Sequence, residues 1–219
     1  MSYQVPKLGQ PVKLDGSWDK DVWKKVPALD IKSYMGEKPE HIPKTQAKLL
    51  YDDNSIYVIF RVEDRYVRAI AKGYHGPVCE DSCAEFFFTP STDISQGYFN
   101  VEMNAGGTML FHHQRQRGQK VVQVSKADCD QVEIFHSLPK IIDPEITEPI
   151  TWILEYRIPY RVLEKYATLT RPGPGVTWRA NFYKCADKTS RPHWLTWSVV
   201  DRPTPDFHRP EYFGTLEFK

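Results

Sequence analysis

No stretch of this 219-residue chain approaches the run of ~20 apolar residues that a membrane-spanning helix needs. Neither sign of charge is in excess: 29 Lys and Arg stand against 28 Asp and Glu, a formal net charge of +1. Such a balance offers no long-range field for a nucleic-acid backbone or an anionic membrane surface. Cysteine is scarce. The four present, Cys79, Cys83, Cys129 and Cys185, are too few for a disulfide scaffold. Cys79 and Cys83 have no histidine at zinc-finger spacing, so free thiols are expected rather than a metal knuckle. The opening Met1-Ser2-Tyr3-Gln4-Val5-Pro6 lacks the basic-then-apolar pattern of a signal peptide as written. Gly106-Gly107 and Gly173-Pro174-Gly175 read as turns, because no helix follows them to complete a phosphate loop. Gly-x-Ser-x-Gly and His-Glu-x-x-His are both missing.

Aromatic residues, by contrast, are plentiful. Six Trp, twelve Tyr and eleven Phe bring the aromatic share to 13% and the hydrophobic share to 41%. That is enough apolar surface to offset the entropy of ordering, so a folded chain is expected. Period-two alternation dominates. Ile56, Val58, Phe60 and Val62 alternate with a face that ends in Arg61 and Glu63. Ala47–Tyr51 is a partner strand across the turn Asp52-Asp53-Asn54, and those turn residues tolerate tight dihedrals.

Further strands are expected over residues 83–88, 98–104, 108–112, 121–124, 132–138, 152–158, 176–185, 195–199 and 215–218. Helices are expected only over residues 19–24 and 160–166. The pattern predicts an all-β antiparallel sandwich, with jelly-roll or immunoglobulin-like layers and one or two short helices. With no linker and no repeat, residues 1–219 read as a single domain.

Glu85, Glu102 and Glu155 are the strand carboxylates that a glycosidase would need as a pair. Glu155 shares a face with Arg157, and a salt-bridged sheet surface is the simpler expectation. His112 and His113 are adjacent on a strand and point to opposite faces, so they cannot share a metal from one face. A sugar offers an apolar C–H face and a rim of hydroxyls, which calls for flat rings beside amide, carboxylate and guanidinium groups. The late stretch 191–214 supplies them. Trp197 and Phe213 are expected in the core there, and Trp194, Phe207 and Arg209 are the candidates for a binding surface.

Four segments in order resemble carbohydrate-binding module family 9. They are Leu14-Asp15-Gly16-Ser17-Trp18 with Trp23, Tyr51-Asp52-Asp53-Asn54-Ser55-Ile56-Tyr57-Val58, Asp81-Ser82-Cys83-Ala84-Glu85-Phe86-Phe87, and Trp197-Ser198 with residues 207–216. The resemblance implies a β-sandwich related to the haem- and sugar-binding DOMON group. It implies a non-catalytic module holding a monosaccharide, an oligosaccharide or a polysaccharide chain end, possible structural calcium, and an association with xylan degradation and export. Carried over by position, the site would comprise Glu85, Asn100, Asn181 and Tyr183, with Trp194, Phe207 and Arg209 from the late loop. The family's two clamping tryptophans fall on Val78 or Cys79 and on Phe207, which leaves Tyr74, His75 or Trp194 to replace them. The alternatives are a haem or small-ligand sandwich, with His112 or His113 as axial ligands and Met103 expected to point inward, and a glycoside hydrolase.

Overall fold

The computed structural model describes residues 1–10 and 12–219. In chain order the strands are β1 (Ser2–Val5), β2 (Leu29–Ile31), β3 (Ser33–Tyr34), β4 (Lys44–Tyr51), β5 (Ser55–Asp64), β6 (Val67–Ala69), β7 (Cys83–Thr89) and β8 (Tyr98–Asn104). There follow β9 (Met109–Gln114), β10 (Val122–Gln123), β11 (Glu133–His136), β12 (Ile142–Ile146), β13 (Ile150–Pro159), β14 (Thr177–Cys185), β15 (Trp194–Thr196) and β16 (Gly214–Phe218). Helices are single turns: α1 (Asp21–Lys24), α2 (Lys126–Cys129) and α3 (Tyr160–Leu163).

Two sheets face each other. The larger runs β1-β16-β14-β7-β8-β9-β10, with β15 on the edge of β14 and β3 beyond it. The smaller runs β11-β13-β5-β4-β2. Pairing is antiparallel except between β1 and β16, which are parallel. The all-β antiparallel sandwich expected from alternation is therefore the fold. A short β6–β12 ribbon, the strands β1 to β3 and the helix α2 were not foreseen.

Alternation decides which side chains meet between the layers. Ile56, Val58, Phe60 and Val62 of β5 point inward with Trp152, Leu154, Tyr156 and Ile158 of β13, all at most 1% exposed. From the opposite layer Phe86, Phe182 and Trp178 join the same core, and the Phe60 and Phe182 rings lie 6.1 Å apart. Trp197 belongs to this core, as expected. One ion pair crosses it near the end of β5. Lys184 Nζ and Asp64 Oδ2, both fully buried, are 3.6 Å apart, and the same ammonium donates to His193 Nε2 at 2.8 Å.

The N-terminal segment covers the outer face of the smaller sheet, and Glu155 is its anchor. The Glu155 carboxylate accepts from the backbone N–H of Asp15 and Gly16 at 3.0 and 2.7 Å, and from Trp23 Nε1 at 2.7 Å. Lys20 Nζ completes the set at 2.9 Å. Gly16 has φ +71°, and a Cβ there would fall 2.1 Å from the Phe135 ring, so the Asp-Gly turn has a steric cause. The expected Glu155–Arg157 pair does not form: Arg157 instead reaches Glu133 at 2.8 Å. Burial of the outer face under Trp23 gives Glu155 four better donors than one exposed guanidinium.

Candidate functional site

The outer face of the larger sheet gathers the chemistry. Cross-strand register sets Tyr183 beside Glu85 and Glu85 beside Glu102. The next row is Asn181, Phe87, Asn100 and His112, and the row on the other side is Trp194, Cys185, Cys83 and Asn104. Period two thus brings Glu85, Asn100, Asn181, Tyr183 and Trp194 onto one face, as the alternation of each strand requires. Residues 199–213 fold back over that face and carry Phe207 and Arg209 with them. All seven expected residues therefore lie on or over this one face, with Trp194 at one end of its rows and Arg209 at the other.

Their exposure differs from the expectation. Phe207 was expected at the surface, yet it is only 8% exposed and stacks on Tyr183 with centroids 4.2 Å apart. It belongs to a second apolar cluster with Met35, Val78, Phe87, Tyr98, Val200 and Phe213. The reason is geometric: Tyr183 presents a flat ring on the outer face, and the returning loop satisfies it. The Tyr183 hydroxyl also donates to the Phe207 carbonyl at 3.0 Å and pins the loop there. Asn181 is likewise occupied, accepting from Ser198 N at 2.8 Å and donating to Ser198 O at 2.9 Å. Trp194 and Arg209 remain half-buried. Arg209 is held by Asp206 at 3.0 Å and borders a cleft of about 640 Å³ with His208, Arg115 and Arg117.

A hydrogen-bonded chain runs under the roof. Asn100 donates to Glu102 at 2.9 Å and accepts from Gln114 Nε2 at 2.9 Å. Tyr98 and Gln114 both reach His208 Nδ1, at 2.9 and 3.3 Å. Nδ1 facing two donors assigns the imidazole as neutral with its proton on Nε2. Burial lowers its pKa to about 4. Burial also raises the carboxyls of Glu85 and Glu102 above the ordinary range, and for Glu85 the neighbouring Glu102 charge adds to the effect. At one end of this face Trp194 Nε1 donates to Asp187 Oδ1 at 2.8 Å, and Cys79, Leu110 and Trp194 pack half-buried against the second cluster.

A profile described as carbohydrate-binding family 9 matches residues 19–218. The chain belongs to that family. Among solved structures, it is similar over its whole length to a Bacteroides uniformis protein proposed to bind carbohydrate. Identity there is 27%, coverage of the other chain 99% and the TM-score 0.89. Two structures of a family 9 module from Caldicellulosiruptor kristjanssonii, bound to glucose and to cellotriose, align over all of this chain. They share 17% and 16% identity, cover 96% and 94% of the other chain, and reach TM-scores of 0.67 and 0.66. No curated protein sequence matches.

Within this family 9 chain the axial-ligand reading finds no convergent set. Met103 is fully buried in the core, His112 stacks on His75, and His113 packs on Phe99 from the other face. Among the described residues, the one group of three His, Cys, Asp or Glu donors within 4.8 Å of one another is Cys83, Glu85 and Cys185. The residues that sequence reading missed are Asp187, Gln114 and His208. The alternation Asn100-x-Glu102 was the one signal available, since it marks a polar stripe on an otherwise apolar strand.

Proposed function

We propose that this chain is a non-catalytic carbohydrate-binding module. It holds a sugar or glycan chain end at the Trp194 end of the outer face, with residues 1–219 acting as one unit. The observation that carries the reading is Trp194. Its ring stays half-buried on the outer face and its Nε1 is fixed by the half-buried Asp187, so ring and that carboxylate present together, with Glu85 and Glu102 buried behind them. An indole face beside acidic acceptors matches the amphipathic surface of a pyranose. The binding of glucose and cellotriose by the Caldicellulosiruptor kristjanssonii module supports the ligand class. Phe207 and Tyr183 support the site by holding the roof loop, and Glu85, Asn100 and Asn181, buried beneath that loop, order the strands that carry it. Arg209, on the neighbouring cleft, contributes from the rim.

Titration calorimetry with glucose, cellotriose and xylotriose tests this. Saturable heat with at least one of them is expected, and Trp194→Ala should abolish it while the melting temperature stays within a few degrees. Absence of heat with a broad glycan panel would sink the proposal.

A further inference from the structure

We propose that Cys83, Glu85 and Cys185 form a binding site for a divalent metal of borderline softness, zinc being the clearest fit. Cys83 and Cys185 are direct cross-strand partners on β7 and β14. Glu85 lies two residues along β7 and so projects from the same face. One donor atom from each of the three lies within 4.8 Å of the others, and all three residues are buried. A tetrahedral ion with Zn–S bonds of about 2.3 Å and Zn–O bonds of about 2.0 Å sets its donors roughly 3–4 Å apart. The Cys185 Sγ–Glu85 Oε1 separation of 3.0 Å already falls in that range.

The chemistry of the pocket favours a cation. Glu85 is 2% exposed, and its hydrogen-bond partner is the Cys185 thiol at 3.0 Å. No lysine or arginine pairs with it among the described residues, while Glu102 stands beside it and Asp187 is nearby. A buried carboxylate facing other acids and thiols lacks the positive partner that burial ordinarily demands. Two thiolates with a carboxylate match the ligand preferences of zinc, whereas calcium and magnesium take oxygen donors. The strands that present them are flanked on both sides by other strands, so the site is rigid. Metal binding would release the thiol protons to solvent, with no change of oxidation state. The Cys79 carbonyl, 3.6 Å from Cys185 Sγ, lies at the same spot and is placed to help close the shell.

Cobalt(II) titration of the reduced, full-length protein under anaerobic conditions tests the assignment. One equivalent should produce a thiolate-to-cobalt charge-transfer band and visible bands of tetrahedral intensity, and zinc should displace both. Cys83→Ser and Cys185→Ser should each weaken the charge-transfer band, and the two together should abolish it. Cys129→Ser, which alters a thiol outside this cluster, should keep it. Folding of every variant is checked by circular dichroism. As a second readout on the unaltered protein, zinc should raise the melting temperature and native mass spectrometry should show one bound ion. Absence of the band and of the zinc shift in the unaltered protein would overturn the proposal, as would a band that survives the two serine substitutions together. None of these readouts involves a sugar, so failure of glycan binding would leave them intact.

Discussion

The Phe207 ring lies nearly parallel to that of Tyr183, at an interplanar angle of 12°, and the two close the roof of the outer face. A ring held this way stabilises the fold before it can touch any ligand. Phe207→Ala should cost ~3–5 kcal/mol, the usual range for truncating a buried phenylalanine. Denaturant unfolding should show the loss as a lower midpoint with an unchanged slope. A variant as stable as the parent would mean that the roof is dispensable.

A second prediction concerns the opposite sheet. Glu155 holds the N-terminal segment through the N–H groups of Asp15 and Gly16, Trp23 Nε1 and Lys20 Nζ. Glu155→Gln keeps the shape but turns an amide NH₂ towards donors. It should destabilise by about 1–3 kcal/mol, the cost of unmet buried hydrogen bonds. Chemical denaturation measures it, and sugar affinity should not move, because the residue lies on the other layer.

The strands were legible because alternation is local: Ile56 to Val62 and Phe99 to Met103 declare their faces within seven residues. The family resemblance grouped Glu85, Asn100, Asn181 and Tyr183 by position, and strand register sets them on one face. Exposure was not legible, because it depends on the loop from Val199 to Phe213 returning over Tyr183. Glu155 was misread for a similar reason. Its partners lie 132 to 140 positions earlier in the chain, and no window of sequence shows them. Cys83 and Cys185 became neighbours through strand register, which also has no local signal.

The ion pair between Lys184 and Asp64 supplies a third prediction. Both groups are fully buried, and Asp64 also accepts from Arg65 N at 2.8 Å and pairs with His41 at the same distance. Removing one partner leaves a buried charge, so Lys184→Met alone should cost roughly 3–5 kcal/mol. Lys184→Met with Asp64→Asn removes both charges and should recover part of that loss. A double-mutant cycle from denaturant melts reads the coupling directly. Strict additivity would show that the two side chains do not sense each other across the core.

The last prediction is a pH dependence carried by two buried histidines. Burial, reinforced for His193 by the Lys184 charge and for His208 by the Arg117 charge, lowers their pKa values to about 3 and about 4. His193 also faces Asp64, His41 and the Arg191 carbonyl, and His208 faces Tyr98, Gln114, Asp206 and His112. In the unfolded chain each imidazole takes its proton near pH ~6.5. Between that value and the folded pKa the unfolded state binds more protons, so stability is full above pH ~6.5 and falls as the solution is acidified. Asp64 adds a later loss. Its folded pKa of about 2 lies below the unfolded value, so its contribution disappears between pH ~3.9 and about 2. The raised carboxyls of Glu85 and Glu102 act in the opposite sense over the same range, so the histidine contribution is read as the difference in unfolding free energy between variant and parent from pH 8 to pH 4. His193→Gln with His208→Gln keeps an acceptor at each position and removes both titrations, so the variant should gain stability relative to the parent as the pH falls from ~6.5 to ~4. An unchanged slope in that variant would show that other groups govern the acid limb.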